Sequence, residues 1–202
     1  MTTQFWFLII AMVMASFGAT DRAEAQIMTP SLSLFYMQTS SKTQIPETAD
    51  VHDSTRSTTI YNFVNLGVCY NIGGFCLGLK YLQGQVTSNV SAPGQKTSST
   101  VLFHGPGITA GYSGSEGVVA HATLLLAAKK DIPSESKTYS ARTAYMLELG
   151  YGFKVGTARI GPLLSLYQFN YDKRDINGKS SSLSPQEEDH FILPQLGFWL
   201  DI

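Results

Sequence analysis

The sequence predicts an all-β fold of long antiparallel strands, on three observations. The first is Thr138–Phe153, TYSARTAYMLELGYGF. Its odd positions, Tyr139, Ala141, Thr143, Tyr145, Leu147, Leu149, Tyr151 and Phe153, form one apolar face, while the even ones include Ser140, Arg142, Met146, Glu148, Gly150 and Gly152. Period two is a strand signature. The run is long for a strand in a globular protein, and it places tyrosines towards both ends of the apolar face with aliphatics between. The second observation is a set of similar runs whose connections alternate between long and short, and the third is where the charges fall. Together they predict an eight-stranded antiparallel up-and-down transmembrane β-barrel, with lipid outside and a polar lumen within.

Taken in order, the chain opens with an apolar run, Phe5–Phe17, followed by Ala23-Glu24-Ala25. This reads as a signal peptide over residues 1–25, cleaved before Gln26, which leaves 26–202 as one barrel domain. Export matches an oxidising compartment for the two cysteines. Beyond residue 25 the chain has 13 basic and 13 acidic residues, hence no formal charge. That balance excludes a nucleic-acid stripe, and two cysteines and four histidines without ligand spacing give no metal or cofactor site. Mean hydropathy of +0.02 and the lack of a second long apolar run exclude a helical membrane protein.

Eight strand-like runs lie near 30–39, 58–70, 75–86, 99–112, 117–128, 138–153, 158–171 and 190–202. Polar segments over 40–57, 86–98, 129–137 and 172–189 follow the odd-numbered runs; tight Gly-containing turns at 71–74, 113–116 and 154–157 follow the second, fourth and sixth. Long loops at one end and short turns at the other form the outer-membrane pattern.

Charge placement tests this independently. Of the 26 charges beyond residue 25, 19 fall in the four long segments. Glu116, Lys154 and Arg159 lie at the short-turn end, and the remaining four, Lys80, Arg142, Glu148 and Asp201, lie inside predicted strands, where each shares parity with small or polar neighbours rather than with the aliphatic face. Lys80 goes with Cys76, Gly78 and Gly84, against Phe75, Leu77, Leu79 and Tyr81; Asp201 goes with Gln195 and Gly197, against Leu196, Phe198, Leu200 and Ile202. These four and Gln195 form a predicted polar network in a plugged lumen, together with Met146, Tyr167 and Trp199. Lys80 is the expected partner of Glu148, and Asp201 or a carboxylate at a loop base the expected partner of Arg142.

Cys69 and Cys76 flank Asn71–Gly74, a turn that sets them directly opposite each other, within disulfide range. Pro106, Pro162 and Pro194 each remove a ladder donor, so a bulge is expected at each.

The C-terminal stretch QLGFWLDI, from Gln195 through Gly197 and Leu200 to Ile202, resembles the signature by which barrel-assembly machinery recognises outer-membrane strands, although Phe is the usual last residue. With the eight-run layout, the chain resembles small outer-membrane β-barrels of the OmpA-like class. The resemblance implies a monomer in the bacterial outer membrane, with membrane lipid and the assembly machinery as partners. It implies a non-catalytic structural or surface-recognition role, in which four extracellular loops meet an external ligand or surface.

Two alternatives are weighed against this. A secreted, soluble, lipocalin-like barrel carrying an apolar ligand requires the opposite parity, with its apolar face inside. A lipid A-modifying enzyme is suggested by His121-Ala122-Thr123, loosely similar to the His-Ser pair of the barrel deacylases, with Glu148 and Ser165 on neighbouring strands. Thr123 replaces that serine and shares an inward parity with His121, so no catalytic residue is assigned.

Overall fold

The computed structural model describes residues 28–44, 54–72, 74–92, 94–114 and 117–202. The predicted signal peptide lies outside them, as do parts of the first predicted loop and of the turns at 71–74 and 113–116. Ten strand segments follow one another: β1 (Met28–Gln44), β2 (Ser54–Ile72), β3 (Phe75–Ala92), β4 (Gln95–Ser113), β5 (Val118–Leu125), β6 (Lys129–Ile132), β7 (Lys137–Tyr151), β8 (Phe153–Val155), β9 (Ala158–Ile176) and β10 (Lys179–Leu200). A 3-10 turn at Pro133–Glu135 joins β6 to β7, and the described residues hold no α-helix. All pairings are antiparallel, and they close into a ring. β1 through β4 pair in sequence, β5 and β6 both lie between β4 and β7, β7 pairs with β9, and β10 joins β9 to β1.

Burial alternates along the strands as the side-chain period requires. On β3 the even residues Cys76, Lys80, Leu82 and Gly84 are buried, while Phe75, Leu77, Leu79 and Tyr81 are exposed. The upper interior is aromatic, with Phe63, Phe103, Tyr167, Phe169 and Tyr171 packed together with Leu82, Met146 and Leu193. Gly84 makes room for part of it. It stands between Phe63 and Phe103 in the ladders, and a Cβ there would come within 2.5 Å of the Phe63 ring.

Several expectations are corrected. Residues 129–132 of the third predicted loop form β6, and ten strand segments are present among the described residues, with β5 and β6 following one another between β4 and β7. The other predicted loops are largely hairpin arms. Ser40–Gln44 pairs with Ser54–Thr58, Val86–Ala92 with Gln95–Val101, and 173–176 with 179–182. Ser and Thr made these segments look like loops, yet a ladder wetted on both faces needs no apolar periodicity, and Thr suits extended backbone.

The prolines act unequally. Across Pro106, β4 passes from β5 at Gly107↔Leu125 to β6 at His104↔Lys129, so two residues of β4 face three, with Ala127 at φ +53°. This is the expected bulge. At Pro162 the β9 register is unbroken, and pairing merely lapses between Gly150↔Leu163 and Phe153↔Ile160. Pro194 also sits in unbroken register with β9, while on its other side the β1–β10 ladder ends at Leu34↔Leu196. A missing N–H is tolerated where a ladder stops, without any inserted residue.

Candidate functional site

The interior below the aromatic cluster is polar and charged, although it is buried. Lys80 on β3 and Glu148 on β7 point inward from opposite sides of β4 and β5, and the Lys80 ammonium donates to Glu148 Oε2. His121 on β5 completes the group, with Nδ1 3.2 Å from Lys80 Nζ and 3.7 Å from Glu148 Oε2. An ammonium has no acceptor, so Nδ1 accepts from Lys80 and the neutral ring carries its proton on Nε2. A cavity with room for about one water lies beside Asn65, Lys80, His121 and Glu148.

Adjoining it is a neutral network. Asn65 Nδ2 donates to Ser33 Oγ at 2.9 Å and to the Tyr167 hydroxyl at 2.7 Å; Gln195 Nε2 donates to the same hydroxyl at 2.7 Å, and Ser165 Oγ to Gln195 Oε1 at 3.0 Å. Four strands are thereby tied across the interior. Near the short-turn end, Arg159 Nη2 donates to Asp201 Oδ1 at 2.7 Å and Nη1 to the Gly114 carbonyl at 2.9 Å, with both side chains about 95% buried.

A third cluster lies where the outward neighbours, Lys129 and Asp131, are themselves charged. Lys130 points inward over the Tyr139 and Tyr171 rings, 5.1 and 5.4 Å from their centroids, and pairs with Glu187 at 2.7 Å and Asp189 at 3.0 Å. Burial disfavours its charge, but the two carboxylates outweigh that and hold its pKa above the ordinary lysine value.

Of the predicted lumen residues, Lys80, Glu148, Gln195 and Asp201 are brought into these networks. Arg142 is not. Register shifts at Ser140/Ala141 and Ala141/Thr143 reverse the parity of β7, so Tyr139 turns inward and Arg142 outward to an exposed position. Asp201 pairs instead with Arg159, which charge placement had assigned to the short-turn end. His121, Asn65 and Lys130 also belong to the networks. Their signal in the sequence was parity alone: His121 alternates with exposed Ala122, and Asn65 with half-buried Val64 and Leu66.

Cys69 and Cys76 form a disulfide, with Cα atoms 5.4 Å apart. The predicted facing register is wrong by two residues: Cys69 faces Gly78 and Cys76 faces Asn71, because the strands extend to Ile72 and Phe75 and shorten the turn to two residues. The bridge is therefore diagonal on the buried face. The two sulfurs and His121 are close enough to be a ligand set, but sulfurs bonded to each other are not thiolate ligands. Of the residues weighed for catalysis, His121 and Glu148 are brought together, with Nδ1 3.7 Å from Oε2, whereas Thr123 and Ser165 bond to other side chains. Thr123 Oγ1 donates to Thr109 Oγ1 at 2.9 Å, Ser165 to Gln195, and His121 faces Lys80 and Glu148.

The C-terminal Gln195, Gly197, Leu200 and Ile202 lie at the closing seam. Gln195 and Gly197 face inward, Leu200 is half-buried and Ile202 exposed, and the Gly197 Cα leaves space for the Trp199 ring. The chain matches no family model and no curated protein sequence.

Proposed function

We propose that this chain is a non-catalytic barrel of the bacterial outer membrane, with a plugged lumen and a structural or surface-recognition role carried by its extended hairpins. The observation that carries the reading is the inversion of polarity. The charged side chains of Lys80, Glu148, Arg159 and Asp201 are buried inside, while Phe75, Leu77, Leu79, Leu149 and Phe153 are at least 60% exposed outside. Water would not tolerate so large an apolar surface on a soluble monomer, and lipid would. Counting β5 with β6 and β7 with β8 gives eight staves. From Tyr145 to Phe153 the outward apolar stretch runs about 27 Å along the strand, or about 21 Å high at a tilt of about 40°, close to the apolar band of such barrels. Tyr70, Tyr112 and Tyr151 stand exposed near the short turns and Tyr36 and Tyr81 towards the hairpins, as interfacial aromatics do.

An eight-stave interior is just filled by side chains, and here the aromatic cluster and the cross-strand networks fill it. That argues for a plugged scaffold rather than a pore. The chain expressed with its leader in a Gram-negative host should stay with the outer membrane through an alkaline wash, migrate differently on gels when unheated, and give no steady conductance in planar bilayers. Release by alkali would refute insertion, and continuous porin-like current would refute the plug.

A further inference from the structure

Two register shifts between β7 and β9 each leave one residue without a facing partner. Between Ser140↔Lys173 and Ala141↔Tyr171 the extra residue is Asp172 on β9, and between Ala141↔Tyr171 and Thr143↔Asn170 it is Arg142 on β7. A bulge re-aims a side chain. Here it turns Arg142, whose parity would have put it inside, to the exposed outer face. There it joins two other exposed cations. His104↔Lys129, Lys129↔Ser140 and Ser140↔Lys173 form one rung across β4, β6, β7 and β9, so the backbones of Lys129 and Lys173 stand on either side of Ser140, about 10 Å apart, with Arg142 one step nearer the apolar belt. None of the three is ion-paired among the described residues. Most neighbouring carboxylates are engaged: Asp131 accepts from Thr138 at 2.7 Å and lies 2.8 Å from His104, Asp175 accepts from Gly178 N–H at 2.8 Å, and Glu188 lies 3.4 Å from His190. The half-buried Asp172 is left, and three cations against one carboxylate give this face an excess of positive charge.

This face continues the apolar belt. Leu124 and Leu126 are 54% and 44% exposed on β5, Tyr145 pairs with Leu124, and Arg142 follows about 10 Å further along β7. Around the other half of the ring the outward residues above the belt are neutral, with Tyr36, Gln38, Asn62, Gln83 and Gln85 exposed and the first cations, Lys42 and Arg56, paired opposite each other near the hairpin end. A lipid whose chains lie on the belt therefore meets cations at headgroup height on one side of the ring. Resting on the membrane reading above, we propose that Lys129, Arg142 and Lys173 bind the phosphate monoester of an outer-leaflet lipid headgroup. A monoester carries close to two negative charges at neutral pH and three acceptor oxygens, which suit one guanidinium and two ammonium groups. Free phosphate brings the same charge without chains to lie on the leucines, so it binds more weakly. A phosphocholine diester brings its own cation and loses the charge match.

The test titrates the protein, in micelles of a maltoside detergent that has no phosphate, with phosphatidic acid, phosphatidylcholine and inorganic phosphate, and follows binding by calorimetry. Phosphatidic acid should bind saturably and more tightly than either of the others. Lys129→Gln, Arg142→Gln and Lys173→Gln together should weaken it by about tenfold or more, and high salt should weaken the wild type. Lys42→Gln, Arg56→Gln and Lys96→Gln together remove as many cations from the hairpin ends and should change the affinity by less than about twofold. Wild-type affinity in the first triple variant, an equal loss in the second, or inorganic phosphate or phosphatidylcholine binding as tightly as phosphatidic acid overturns the site. If alkali releases the protein from membranes while the first triple variant alone loses phosphatidic acid, the membrane reading fails and the phosphate site stands. Inserted protein whose first triple variant binds like the wild type refutes the phosphate site alone.

Discussion

Replacing Glu148 by Gln should destabilise the closed ring of strands strongly, because it strands the Lys80 ammonium in the interior. The Lys80 and Glu148 side chains are 5% and 1% exposed, so water cannot take the carboxylate's place. Breaking a buried pair by removing one member costs about 3 to 5 kcal/mol. His121 Nδ1, 3.2 Å from the ammonium, still accepts one hydrogen bond, which places Glu148→Gln near the lower end, at about 3 kcal/mol. That is roughly a hundredfold in the folding equilibrium. With a urea dependence of about 2 kcal/mol per molar, the midpoint should fall by about 1.5 M. Lys80→Met should cost a similar amount, because its stem still lies over Gly67 but Glu148 is left facing only His121. In the double variant neither charge of this pair remains to be left unpaired, and the loss should be smaller than the sum of the single losses by at least about 2 kcal/mol. The assay is reversible urea unfolding in detergent or lipid, followed by fluorescence of the buried Trp199, the sole tryptophan beyond the predicted leader. Additivity within about 0.5 kcal/mol would refute the argument and show that the two charges are solvated separately.

Three further outcomes are expected. Gly84→Val should destabilise the fold by about 1 to 3 kcal/mol, since its Cβ would displace the Phe63 ring from a filled aromatic cluster; a neutral effect would mean that the cluster is loosely packed. Arg159→Met should cost about 3 kcal/mol or more by leaving Asp201 unpaired, whereas the outward Arg142→Ala should stay within about 0.5 kcal/mol, and the reverse order in the same urea assay would restore Arg142 to the interior. Thiol titration of the unfolded, unreduced chain should find no free thiol, and reduction should cost about 2.5 kcal/mol from loop-closure entropy; two titratable thiols would remove the disulfide.

Parity along each strand was legible in the sequence, since the pleat is a local property and every second side chain faces one way whatever the strand pairs with. Thus Lys80, Glu148, Gln195 and Trp199 could be assigned inward from their own neighbours, and a lysine and a glutamate sharing the inward face suggested their pairing. Register is not local. It accumulates every inserted residue, so the shifts between Ser140 and Thr143, which no proline or glycine marks, moved Arg142 outside and Tyr139 inside. The same holds between β2 and β3, where the ladder continues to Ile72↔Phe75 and so changed a facing cysteine pair into a diagonal one. Hairpin arms were hidden because a strand wetted on both faces leaves no apolar period to read. The contact of Asn65 with Tyr167 and Gln195 depends on closure of the ring, since β2 meets β9 and β10 only because β10 pairs with β1, whereas Arg159 and Asp201 meet through the β9–β10 hairpin, whose register sets Trp199 opposite Arg159 and brings Asp201 N–H to the Thr157 carbonyl. Which residues face inward is decided strand by strand, but which of them touch is decided only when the ring is complete.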